Sequence, residues 1–294
     1  MLHPLARRVA LAGLLLSVAI APAAAQDGAD PAKRTRLLAG PQISPSWPGA
    51  DKFGVGPYLD FSRAREGRNF TFEAPDESFG SPLIESGRFE FGPALGFIGK
   101  RSARDIGAPL PTVGFSIEAG AFAQMWVAPE LRVRVEGRKA LSGHDGWVGE
   151  ISADYVARDG DEWLVSIGPR VTLGDAKFHR AYVGVAPVDS AASGLAAYRP
   201  GGGITSVGVT AGVLKQIDRN WGVAVYGRYD RLVGDAARSP VVRQLGSRDQ
   251  PSVGLALSYT FGGQPLGSAR LQHHIEWPLG GAAHFGKSAF ADDL

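Results

Sequence analysis

Cysteine is absent from all 294 residues, so neither a disulfide nor a thiolate metal site can form. Histidine is scarce, with six residues, and three of them (His273, His274, His284) crowd the C-terminal end. Charge of one sign is also missing. The formal excess of +2 matches Arg7 and Arg8, so removing an N-terminal leader would bring basic and acidic residues level. A balanced chain gives no electrostatic footprint for nucleic acid. Long apolar runs do not occur after residue 25, which excludes a transmembrane helix in the rest of the chain. Helix-period stretches are few as well.

The leader itself is the plainest segment. Arg7-Arg8 precede a small and apolar run from Val9 to Ile20, and Ala23-Ala24-Ala25 supply the small residues that signal peptidase requires. The expectation is a secretory signal peptide over 1–25, cut between Ala25 and Gln26, then a linker over 26–33. The ~269 residues that remain are rich in strand and turn formers, with 40 Gly, 14 Phe, 7 Tyr and 6 Trp in the whole chain.

Those residues alternate. LRVRVEGRKA (131–140) sets Leu131, Val133 and Val135 against Arg132, Arg134, Glu136 and Arg138. Successive side chains of a strand point to opposite faces, so one face is apolar and the other charged. PSVGLALSYTF (251–261) alternates without a fault. About twelve segments of roughly ten residues behave this way, near 34–41, 52–63, 68–74, 87–99, 112–125, 130–139, 147–158, 162–173, 176–186, 203–216, 221–232 and 251–261. Their length and period match tilted transmembrane strands. Aromatics near segment ends, such as Trp126, Trp147, Trp163 and Trp221, match interfacial girdles. A soluble β-sandwich alternates too. The charges of both signs on the polar faces suit a confined lumen better. The fold expected is all-β: an antiparallel transmembrane β-barrel over 34–261, with a disordered tail over 262–294 and outer-membrane lipid around the wall.

In this phase the valines of 131–140 face lipid, because an arginine near the bilayer midplane costs ~2–4 kcal/mol. The same phase gathers Arg88, Glu90, Glu118, Arg132, Arg134, Glu136, Arg138, Glu150, Asp154, Arg170, Arg228 and Asp230 inside. Six are acidic and six basic, which fits paired charges bracing a wall more than an ion-selective filter. One inconsistency remains in the twelve-strand count. Counting back from a periplasmic C-terminus puts the short turn VAPE (127–130) outside, where longer loops are usual.

Motifs for catalysis are thin, and no enzyme activity, cofactor or metal is expected. SGHDGW (142–147) holds Ser142, His144 and Asp145 on one short stretch, which reads as a turn because a triad is assembled in space. His179 stands where a barrel rim would be. HHIE (273–276) has adjacent histidines, a poor spacing for a metal. Gly201-Gly202-Gly203 lacks the following Lys-Ser/Thr of a phosphate loop.

Longer runs carry a family signature. YVGVAPVDSAASGLAAYRPGGGITSVGV (182–209), NWGVAVYGRYDRLVGDAARSPVVRQLGSRDQ (220–250) and GLALSYTF (254–261) resemble the MipA/OmpV family of Gram-negative outer-membrane proteins. GHDGWVGEISADYV (143–156) and PSWPGADKFGVGPYLDF (45–61) are similar to it as well. The resemblance implies a single barrel in the outer membrane. It also implies a scaffold role, since one member links a lytic transglycosylase to a murein synthase, while others act in adhesion or antibiotic response. It carries no catalytic residue onto this chain. A small-solute channel or an adhesin is the alternative. Barrels of this kind commonly end on a terminal aromatic, which makes Phe261 the expected assembly signal.

Overall fold

A computed structural model of the chain describes residues 33–262. The expected signal peptide with its expected cleavage between Ala25 and Gln26, and the tail after Gly262, lie outside the described residues. Eleven antiparallel strands form one sheet. They are β1 (Lys33–Pro45), β2 (Phe53–Arg65), β3 (Ile84–Ser86), β4 (Phe89–Ile98), β5 (Ser116–Ala128), β6 (Leu131–Ala140), β7 (Trp147–Asp159), β8 (Trp163–Gly174), β9 (Gly203–Gln216), β10 (Trp221–Leu232) and β11 (Asp249–Phe261). Five short helices interrupt them: α1 (Ala103–Ile106), α2 (Ala176–Val183), α3 (Pro187–Ser193), α4 (Gly234–Arg238) and α5 (Pro240–Leu245). Neighbours in sequence pair along the sheet except β2 and β3, and β1 joins β11 through Thr35↔Phe261 to Ile43↔Val253.

The burial pattern runs opposite to that of a soluble sandwich. On β11 the large residues Val253, Leu255 and Leu257 are exposed, whereas Ala256, Ser258 and Thr260 are buried. On β6, Arg132 and Arg134 are buried while Leu131 and Val135 are exposed. Large apolar side chains on the open surface and arginines within describe a wall that faces lipid. The inner faces meet one another, since the Tyr58 ring of β2 lies 5.0 Å from that of Tyr226 on β10.

Two of the twelve expected strands are something else. Residues 68–74 pair with no strand; with their neighbours over 66–79 they form an extended strap whose residues from Phe70 onward run inside, burying Phe70, Phe72 and Ala74. Residues 176–186 open as α2, capped by Asp175, whose carboxylate accepts the Phe178 N–H at 2.8 Å. Conversely, the three-residue β3 was not anticipated. Removing the strand at 176–186 corrects the parity. The turn between β5 and β6 now lies at the same end as Lys33 and Phe261, with the short turns at 160–162 and 217–220. The long connections other than 66–83 lie at the other end. In bacterial barrels the short-turn end is periplasmic.

The strap enters from that end after β2 and leaves through the wall. Phe79 exchanges both backbone hydrogen bonds with Leu95 of β4, at 3.0 and 2.7 Å, and β3 then follows β4 downward. Among the described residues no ladder joins β2 to β3 or β4. The free edge of β2 is blunted. Pro57 faces Pro41 across the β1–β2 pair. Neither has an N–H, so this is a non-hydrogen-bonded pair, and the amides of odd-numbered β2 residues point to the free edge. Pro57 leaves one donor fewer there, and the Phe61 N–H is taken by the Asp60 carboxylate at 2.7 Å. Proline and a local carboxylate are both known devices for edge strands.

At the loop end, the connections pack on each other. Trp47, Leu110, Phe178, Tyr182, Val185, Val241 and Val242 belong to one buried cluster drawn from four loops. This apolar cap covers the interior from the side away from the strap's point of entry.

Candidate functional site

The most densely built region is the strap and the arginines around it. Seven wall arginines touch residues 66–79: Arg34 and Arg36 from β1, Arg132 and Arg134 from β6, Arg158 from β7, Arg170 from β8 and Arg228 from β10. Strand alternation puts each on the inner face. The strap offers them three kinds of partner. Its carbonyls accept from Arg34 (Arg68 O, 2.5 Å), Arg158 (Phe70 O, 2.9 Å) and Arg132 (Phe72 O, 3.2 Å). Its rings lie under guanidiniums, Phe70 4.4 Å from Arg36 and Phe72 4.4 Å from Arg132. Its carboxylates complete the set, Asp76 with Arg170 and Arg228, and Glu77 with Arg132 and Arg134.

The wall supplies counter-charges of its own. Asp154 bridges Arg132 and Arg170 at 2.8 Å each. Arg134 pairs with Glu136 at 2.6 Å, and Arg138 with Glu118 at 2.8 Å and with Glu136. Arg228 reaches Asp230 at 2.5 Å and Glu150, three strands away, at 3.1 Å. Glu90 accepts from Gln124 Nε2 at 2.6 Å. Eleven of the twelve charges expected inside therefore stand on the inner network. Arg88 does not. It sits exposed in the β3–β4 turn, beside Gly87 at φ 61°, because the hairpin ends one residue before the wall begins.

Sequence reading missed Arg34, Arg36, Arg158 and Asp161, and the strap acids Asp76 and Glu77. Arg34 and Arg36 were legible, since they alternate in KRTRLL with Thr35 and Leu37. Asp161 was not, because it lies in a short turn. There it accepts from Arg34 at 2.5 Å, from Arg158 at 2.8 Å and from the Phe70 N–H at 3.1 Å.

Ser142, His144 and Asp145 do not converge. Ser142 Oγ donates to Phe115 O and accepts from the Ile117 N–H, on an exposed surface. His144 is buried, with Nε2 2.8 Å from Glu118 Oε1, and its Nδ1 accepts the Gly146 N–H at 3.0 Å. Asp145 turns away in the left-handed region at φ 56°. His179 is likewise held, between Gly201 O at 2.6 Å and Thr205 Oγ1 at 2.8 Å, which fixes the glycine run 201–203 as it enters β9. His273 and His274 lie outside the described residues. In the cap, Arg101 donates to Tyr182 O at 2.5 Å and Pro111 O at 2.7 Å, and burial lowers its pKa to about 10. Phe261 ends β11 on the lipid face, its ring 4.7 Å from Tyr259, which in turn meets Trp221.

Comparison with known proteins gives one family match. The model described as "MltA-interacting protein MipA" matches residues 37–261, most of the chain. No curated protein matches it. Among solved structures, a KdgM porin is similar at 10% identity and TM-score 0.34, over 79% of this chain and 99% of that one. A bacterial polysaccharide outer membrane secretin is similar at 11% identity and TM-score 0.38, over 80% and 100%. An outer membrane channel from Pseudomonas putida F1 has 11% identity and TM-score 0.31, over 78% and 94%.

Proposed function

The chain belongs to the MltA-interacting protein (MipA) family, and from that premise we propose that it serves as a non-enzymatic scaffold linked to murein synthesis and envelope maintenance. It is an outer-membrane β-barrel. Its partners in this reading are a lytic transglycosylase, as the family's name suggests, and a murein synthase. The observation that carries the reading is the filled interior. The strap from Phe70 to Ser78 lies in the lumen, seven arginines touch residues 66–79, and an apolar cap lies over the loop end. A barrel built to conduct leaves its axis wet, whereas this one spends its inner face on holding its own chain. The placement of Ser142 and His144 supports a non-enzyme, since each is engaged by groups that leave no nucleophile beside a base.

A second reading, as an adhesin, draws on the same cap, because an ordered cluster of loops on the outer surface is a surface for contact. Cross-linking in intact cells followed by co-purification separates the two. The scaffold reading expects a lytic transglycosylase or a murein synthase among the products. Recovery of the barrel without any murein enzyme would reject it.

A further inference from the structure

Every group that holds the Asp76 carboxylate belongs to the wall. Arg170 on β8 makes a two-point fork, Nε to Oδ2 at 2.9 Å and Nη2 to Oδ1 at 3.0 Å. Arg228 on β10 donates Nη1 to Oδ2 at 2.7 Å, and the Thr210 hydroxyl on β9 donates to the same oxygen at 2.6 Å. Two guanidiniums and a hydroxyl aimed at one acid group are the donor set that recognises carboxylate or phosphate.

The receptor stands on paired strands, and its occupant does not. β8, β9 and β10 are successive paired strands, and Asp154 and Asp230 hold the two guanidiniums from behind. Asp76 stands on a strap with no strand pairing between Arg65 and Phe79. Donor capacity is also left over beside it. Arg132, fully buried against the neighbouring Glu77, has an Nε without a protein partner.

We propose that Arg170, Arg228 and Thr210 form a binding site for a carboxylate- or phosphate-bearing anion, which the resting protein fills with its own Asp76. Residues 66–79 are then a tethered occupant that an incoming anion displaces. Tethering explains why the site is filled at rest, because a carboxylate on the same chain competes at high effective concentration.

The test uses the full chain refolded in detergent. Asp76→Ala vacates the receptor and lowers Tm. Sodium acetate and inorganic phosphate are titrated separately, with chloride at matched ionic strength as control. The expected result is a saturable recovery of several degrees in the variant with one or both anions, none with chloride, and no change in the wild type below competing concentrations. Recovery by acetate alone assigns a carboxylate ligand, and by phosphate alone a phosphate ligand. A folded variant that neither anion stabilises overturns the proposal. If Asp76→Ala does not fold, Ser78→Cys in the otherwise native, cysteine-free chain reads strap release directly. Anion at high concentration is expected to raise its thiol labelling rate several-fold over chloride, and an unchanged rate overturns the proposal.

Discussion

The strap region and the cap fill the same barrel by opposite means. Towards the short turns, the interior holds an extended chain gripped by charge, with Arg132 alone contacting Asp154, Glu77, Gln124 and Phe72 O. Towards the loops, the filling is apolar, built on Phe178, Tyr182, Val241 and Val242. The charged filling depends on its ion pairs, since a buried ion that loses its partner costs more than the pair contributes. The apolar filling needs only volume. Stability is therefore brittle to single substitutions near the strap, whereas the cap degrades in proportion to the atoms removed.

That contrast can be broken in four ways, taken from the largest expected effect. Arg132→Glu should cost about 3–5 kcal/mol, because it sets a carboxylate against Asp154 and Glu77. Urea unfolding in detergent reads it, and a loss below that of any cap variant would contradict the contrast. Phe178→Ala should cost about 3 kcal/mol within the cap. Its signature is faster proteolysis over 175–202 while the unboiled protein keeps its folded gel mobility. Global unfolding instead would show that cap and wall are one cooperative unit. Val135→Arg places a charge on the lipid face in mid-strand and should cost about 2–3 kcal/mol in lipid vesicles, which measures the orientation of β6. Arg231→Ala removes a half-exposed partner of Asp249 and should leave the urea midpoint close to that of the wild type, because solvent screens an exposed pair.

The wall was legible in the sequence because alternation reports which residues share a face. It does not report what a segment pairs with, and that is where the reading failed. NFTFEAP alternates as well as any wall strand, yet its apolar face is buried inside, so Phe70 and Phe72 meet arginines where a wall strand would meet lipid. AKFHRAYV fails differently. Phe178 and Tyr182 stand four apart on one helix face, and Asp175 caps it, but eight residues are too short for periodicity to separate from a strand. The inner arginines followed from parity once the lipid face was assigned. Asp76, Glu77 and Asp161 did not, since charges in a loop or turn have no parity to read.

Planar-bilayer conductance tests the account most directly, because the central claim is that the chain fills its own lumen. The wild-type barrel, folded and inserted, should be silent or nearly so. Large, steady, ion-selective steps from the intact protein would contradict an interior occupied by residues 70–78 beneath an apolar cap.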